Sequence, residues 1–144
     1  YGLVGSEMCI RDSISGIGID LLDPETRFPL STEAPDAIWM SQFLDCFSPE
    51  QITGILCRAS EAMGDNTRIY IMETLWNRQR FEPAAMCLTL TSLYFTAIAN
   101  GNSKMYNTAD LSGCIEAAGL EIEDIHDHLG QGHSILVVRK KQSV

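Results

Sequence analysis

The sequence predicts an α/β fold: the C-terminal part of a doubly wound sheet ending in an antiparallel hairpin, with the first half missing. Three observations carry this expectation. Two short apolar runs, residues 38–43 and 68–73, flank a segment with strong helix start and stop signals. A helix between two strands makes them parallel neighbours, because a parallel crossover needs about a dozen residues or more. Each run ends near a carboxylate, Asp45 after the first and Glu73 on the second. Both carboxylates then leave the carboxyl edge of the sheet, where open α/β sheets bind ligands. Finally, residues 120–127 and 133–139 read as strands around Gly130-Gln131-Gly132, a hairpin turn.

The elements follow in order. Residues 1–13 show no useful periodicity. Their Ser-Glu-Met-Cys-Ile-Arg-Asp-Ser core resembles the translated adapter read-through found at the ends of unrelated predicted proteins. They are read as non-native and set aside, leaving residues 14–144 as the domain portion. Residues 14–22 form a weak strand candidate interrupted by two glycines, and residues 23–35, with three prolines, read as loop. Ser48-Pro49-Glu50-Gln51 is a helix start: serine caps, proline suits the first position, and glutamine three residues on completes a capping box. Ile52, Ile55, Leu56, Ala59 and Met63 follow at helical spacing, with Gly64 as the stop. Residues 84–99 are apolar on most faces and end at Asn100-Gly101, which predicts a buried helix. Thr108 is expected to cap a shorter helix carrying Leu111, Cys114, Ile115 and Ala118, closed by Gly119. Ile52, Leu56, Ile69, Ile71 and Leu136 are the expected core.

Composition narrows the function. With 144 residues, 45% apolar and 20% charged, the chain has the size and make-up of one globular domain. A net charge of −9 argues against nucleic acid and against an anionic membrane surface. No apolar run approaches the ~18 residues of a membrane span, and no secretory leader is visible. Cys9, Cys46, Cys57, Cys87 and Cys114 are odd in number and widely spaced, so they read as buried thiols of a reducing cytoplasm. Gly16-Ile17-Gly18 lacks the third glycine of a nucleotide-binding turn and runs into a proline-rich loop.

Several motifs carry a resemblance. Residues 36–47 resemble the fourth-strand motif of S-adenosylmethionine-dependent small-molecule O-methyltransferases of the plant phenolic and bacterial hydroxyneurosporene type. In that family an Asp opens the strand, which leads into Leu-His-Asp-Trp before a helix with an acidic start. Here the run is Leu44-Asp45-Cys46-Phe47, then Ser-Pro-Glu-Gln. Ile71-Met72-Glu73 is similar to the fifth strand ending in a catalytic-site Glu, and residues 108–120 resemble the helix ending in Ala-Ala-Gly before a strand. The match spans about residues 17–140 and implies the Rossmann-like methyltransferase sheet of that family.

Carried over position by position, the resemblance implies that Asp20 and Leu21 are the acidic-apolar pair beside the cofactor's adenine. Ser41 falls where many relatives have a Lys near that ring. Asp45 falls on the position of the catalytic His, and Glu73 on a carboxylate that helps orient that base. The implied function is methyl transfer from S-adenosylmethionine to a hydroxyl of a small molecule, without a metal. The implied parent is a cytoplasmic homodimer joined by an N-terminal helical domain, and the piece alone is expected to be inactive. The missing His motivates a second reading, a methyltransferase-like interaction or regulatory module that has lost catalysis. A nicotinamide-dependent enzyme suits the terminal hairpin and residues 36–47 less well.

Asp has a reference pKa of about 3.9 and is a weak base for a phenol unless burial and a nearby Glu raise it. Asp45 and Glu73 on adjacent strand ends can raise one another, or can simply hydrogen-bond a substrate. Trp39 and Phe43 are expected in the core, because apolar strand residues usually pack. His126, His128 and His133 surround a hairpin without an acid-rich cluster, which favours solvated side chains over a metal site.

Overall fold

The computed structural model describes residues 16–28, 34–99 and 101–141; residues 1–13 lie outside these. It contains one mixed four-stranded sheet. The elements are β1 (Ala37–Ser41), α1 (Pro49–Ala62), β2 (Arg68–Glu73), α2 (Glu82–Tyr94), α3 (Thr108–Ala117), β3 (Leu120–Leu129) and β4 (His133–Lys140). The spatial order is β1-β2-β4-β3. β1 and β2 are parallel with Met40 opposite Ile71, while β4 runs antiparallel to both β2 and β3. The α/β class, the parallel pair and the terminal hairpin are all as expected.

Strand alternation sorts the sheet into two faces. In β2, Ile69, Ile71 and Glu73 are buried, while Arg68, Tyr70 and Met72 face the other way and are half-buried. The buried face packs with Met40, Leu136, Val138 and helices α1 and α3 into one core. All five expected core residues are fully buried in it.

Helix α1 forms as its sequence directs. Ser48 Oγ accepts the Gln51 N–H at 3.3 Å, and the Gln51 side chain accepts the Ser48 N–H at 2.9 Å. The helix ends at Ala62, two residues before the expected glycine stop. Gly64 serves instead as a point of close approach, since a Cβ there would lie 2.9 Å from the Cβ of Ala34. At α3 the cap is Asn107, whose Oδ1 accepts the Asp110 N–H at 2.7 Å, and Thr108 is the first helical residue. The Thr108 N–H and hydroxyl both reach Asn77 Oδ1, which leaves the capping role to its neighbour.

Four further expectations are corrected. Residues 16–22 form no strand: Asp20 Oδ1 accepts the Leu22 N–H at 2.9 Å, and this local turn prevails over the apolar residues around it. The predicted buried helix is α2 extended by a π-helical turn (Phe95–Ala99), and α2 buries no residue. Its apolar residues surround the helix, so only one side can lean on the rest of the fold. Trp39 is 57% exposed, because it lies on the sheet face opposite α1 and α3, beside Tyr70. The thiols are mixed: Cys114 is buried, Cys57 half-buried, and Cys46 and Cys87 exposed at a sheet-edge turn and a helix flank.

No helix among the described residues is long and apolar enough to cross a membrane.

Candidate functional site

The carboxyl edge of the parallel pair is shaped by one abrupt turn. β1 was expected to run to Phe43 but stops at Ser41, because Gln42 adopts φ of +47°. That conformation is uncommon for a residue with a Cβ and has to be held by its surroundings. Gln42 keeps its ladder contact, donating its N–H to Met72 O at 2.9 Å. The following residues then turn into a short 3₁₀ helix (Leu44–Cys46).

Glu73 holds that turn. It ends β2 on the buried face and is only 3% exposed. Its Oε1 accepts the N–H groups of Phe43 at 3.0 Å and Leu44 at 2.8 Å, and its Oε2 lies 3.4 Å from Gln42 Nε2. Burial pushes the Glu73 carboxyl up to about 7, the two backbone N–H donors oppose the rise, and the charge of Asp45 adds to it. Burial wins because a carboxylate loses more in leaving water than two amide dipoles return.

Asp45 sits in the 3₁₀ turn that Glu73 anchors. Its side chain is half-buried and accepts the Cys46 thiol at 3.6 Å. Burial raises its pKa, while the thiol contact works the other way. A second segment closes on this turn: Lys104 N–H donates to Asp45 O at 3.0 Å, and the buried Tyr106 hydroxyl donates to Phe47 O at 2.7 Å. The structure thus brings Asp45 and Glu73 together at one edge, joined through the backbone of Phe43 and Leu44. Cys46 is no ready nucleophile, since partial desolvation in the turn and the neighbouring carboxylates push its thiol upward.

The other singled-out residues lie on the outer side of β1. Leu21 and Ser41 line one cavity of about 400 Å³ with Phe28, Trp39 and Phe43. Leu21 O accepts from the Arg58 guanidinium on α1. Asp20 is exposed, and its carboxylate is engaged with the Leu22 N–H. The described histidines stand apart from this edge pocket, and no described cluster of three His, Cys, Asp or Glu side chains is placed to hold a metal ion.

Gln42, Lys104 and Tyr106 were missed in the sequence. A positive φ at a glutamine leaves no composition signal. Lys104 acts through its backbone, which any residue supplies. A tyrosine in a polar loop just before a helix was a usable hint for Tyr106.

No protein-family model and no curated protein matches the sequence. Solved structures do match. One is CalO1, a methyltransferase in calicheamicin biosynthesis in its SAH-bound form, with TM-score 0.68 and 17% identity over 87% of this chain and 34% of that one. Another is NcsB1, an O-methyltransferase from neocarzinostatin biosynthesis, in complex with S-adenosyl-L-homocysteine and 1,4-dihydroxy-2-naphthoic acid. Its TM-score is 0.65 at 19% identity, over 85% of this chain and 32% of that one. A third is described as a pericyclic reaction enzyme, with TM-score 0.67 and 18% identity over 83% of this chain and 29% of that one. The chain therefore has part of the fold seen in small-molecule O-methyltransferases and spans about a third of the length of these proteins. That fold also hosts other chemistry, so it does not select the reaction by itself.

Proposed function

We propose that this chain is the acceptor-side portion of an S-adenosylmethionine-dependent O-methyltransferase acting on a hydroxyl of a small molecule. The observation that carries the reading is the Glu73 anchor, which fixes the Asp45 turn at the carboxyl edge of the parallel strands. An apolar, aromatic cavity containing Leu21 and Ser41 lies on the neighbouring side of β1. Its size and lining suit a flat purine ring, with the Ser41 hydroxyl as a polar contact. Asp20 has its carboxylate turned to its own backbone, so its part at the ring would be positional. The described residues offer no glycine-rich turn for the amino-acid end of the cofactor, since Gly16 and Gly18 are exposed and open no helix.

The cofactor, when bound, supplies an electrophilic methyl group on a sulfonium. Methyl transfer is an in-line displacement, so holding the acceptor hydroxyl in line supplies much of the acceleration. In this reading Asp45 accepts the hydroxyl proton at a side-chain oxygen, and its burial makes it a better base than a solvated Asp. Glu73 is a positioning residue: its acceptor capacity is directed to Phe43 and Leu44, and it reaches substrate only through the turn. Acceptor identity and a cytoplasmic location belong to the parent protein, as does a homodimer through an N-terminal helical domain. The chain alone is proposed to be inactive.

Asp45→Asn in the full-length parent should lower kcat by about 10²–10⁴ with cofactor affinity unchanged, within the range for losing a general base. An equal loss of cofactor binding would remove the base assignment. The absence of His at position 45 favours a second reading, a non-catalytic methyltransferase-like module. Tight cofactor binding by the parent, without methyl transfer to any of a panel of phenols and alcohols, would select it.

A further inference from the structure

The Asp45 turn is gripped from two sides. Upstream, Glu73 takes the N–H groups of Phe43 and Leu44. Downstream, residues 103–106 cross it as a strap. Lys104 donates its N–H to Asp45 O at 3.0 Å, the buried Ser103 side chain hydrogen-bonds the Cys46 thiol, and the Tyr106 hydroxyl donates to Phe47 O at 2.7 Å. Residues 43–47 are thus each bonded to Glu73 or to the strap. A 3₁₀ helix of three residues makes too few bonds of its own to fix a side chain. The other edge of the strap is tied to α2. Ser92 Oγ accepts the Met105 N–H at 2.7 Å, and in the π-helical turn Thr96 Oγ1 donates to Ser103 O at 3.4 Å. A third tie follows β2, where Trp76 donates its N–H to Tyr106 O at 3.3 Å.

We propose that Tyr106 and Ser92 are positioning residues that couple α2 to the Asp45 turn through this strap, so that the seat of the helix sets the reach of the Asp45 carboxylate. The coupling stands on the bonds above; its consequence for catalysis rests on the methyl-transfer reading of Asp45. Tyr106 is 3% exposed, and a phenylalanine would fill nearly the same volume. Packing alone therefore does not call for its hydroxyl, which is directed to the carbonyl two residues beyond Asp45. On the α2 side, the Ser92 hydroxyl takes the Met105 N–H, so a shift of the helix either carries the strap with it or breaks that bond. The tolerance is small, because a misplacement of about 1 Å at a reacting group can cost about 10²-fold in rate. Tyr106 and Ser92 reach the reaction only through the turn, as Glu73 does from its other side.

Alkylation of individual thiols in the full-length parent, read by mass spectrometry, tests the coupling without any turnover. Cys46 lies in the turn and reports its order, while the buried Cys114 on α3 reports general opening. Tyr106→Phe and Ser92→Ala should each speed Cys46 alkylation roughly threefold or more, since a loosened turn frees its thiol, with Cys114 unchanged. Thr89→Ala is the control: that hydroxyl bonds Ala85 O within α2, and its loss should leave Cys46 as it was. The double variant Tyr106→Phe/Ser92→Ala should exceed the faster single variant by little, because both break one connection. An unchanged Cys46 in either single variant would overturn the coupling, as would Cys46 and Cys114 rising together or fully independent effects in the double variant. Turnover then tests the consequence. Each single variant should lower kcat about tenfold at unchanged cofactor affinity. The acid limb of the kcat–pH profile should move to lower pH, because an Asp45 released to water loses the burial that raises its pKa. An equal loss of cofactor affinity, or an unmoved acid limb, would overturn the positioning role. A parent that transfers no methyl group would remove the methyl-transfer reading instead, and the thiol rates would still decide the coupling.

Discussion

Helices α1 and α2 begin alike, each with a proline within its first two positions and an acidic residue in its first turn. Their fates differ. α1 buries Ile52, Ile55, Leu56, Ala59 and Ala62 against the sheet, whereas α2 buries nothing. The difference lies in what separates the apolar residues. In α1, Glu50, Thr53, Arg58 and Glu61 occupy the positions between them and leave a single face to bury. In α2 the apolar residues surround the helix, so composition predicts a helix without specifying which side packs, or on what. Periodicity marks a face; hydrophobicity alone does not.

The largest test of this contrast is thermodynamic. Leu56→Ala removes a fully buried side chain and should cost about 2–5 kcal/mol in urea unfolding. Leu90→Ala at an exposed position of α2 should change stability by less than ~0.5 kcal/mol. Comparable losses at both positions would mean that α2 belongs to the core after all.

A second difference is electrostatic. The α1 side of the sheet contains the buried Glu73, while the only ionisable carboxylate on α2 is Glu82 at its exposed start. The Glu73 pKa rises from 4.5 to about 7 on folding. Between those values the folded chain holds a proton that the unfolded chain has released. Its contribution to stability is therefore complete below pH 4.5 and is lost as pH rises through 7. A shift of that size corresponds to roughly 3 kcal/mol. Glu73→Gln keeps an oxygen for the Phe43 and Leu44 N–H groups but cannot titrate. Subtracting its stability curve from that of the parent sequence should leave a fall across this window; a flat or rising difference would show that Glu73 is ionised throughout in the fold.

The same contrast explains how much was legible beforehand. The core was readable because Ile52, Ile55, Leu56, Ile69, Ile71 and Leu136 obey a 3.6- or 2-residue period, and period reports facing directly. Carboxylates at the strand ends could be placed at one edge from topology alone. Their connection could not: the Gln42 turn depends on a positive φ, and the Glu73 contacts run to backbone N–H groups that every residue has. Trp39 misled for a related reason. Strand alternation put it on one face, but the sequence did not show that this face lacks a covering element among the described residues.

The smallest effects concern how the two helices start. Ser48 closes a full capping box on α1, so Ser48→Ala should cost about 1 kcal/mol. The residue in the same place on α2 is Phe81, which has the extended backbone of an N-cap, with φ of −127° and ψ of 137°, but no side-chain cap bond. Phe81 is also 63% exposed, so its removal empties no core. Phe81→Ser should therefore gain stability, though less than Ser48→Ala loses. Position two of the helix is Pro83, which has no N–H, so the new hydroxyl can reach only the Ala84 N–H, already bonded to Phe81 O at 3.0 Å. The expected gain is about 0.5 kcal/mol, read as a small rise in urea midpoint at unchanged slope. A loss of more than that amount would show that the Phe81 ring, with Arg80 5.6 Å from its centroid, fastens the start of α2 by packing.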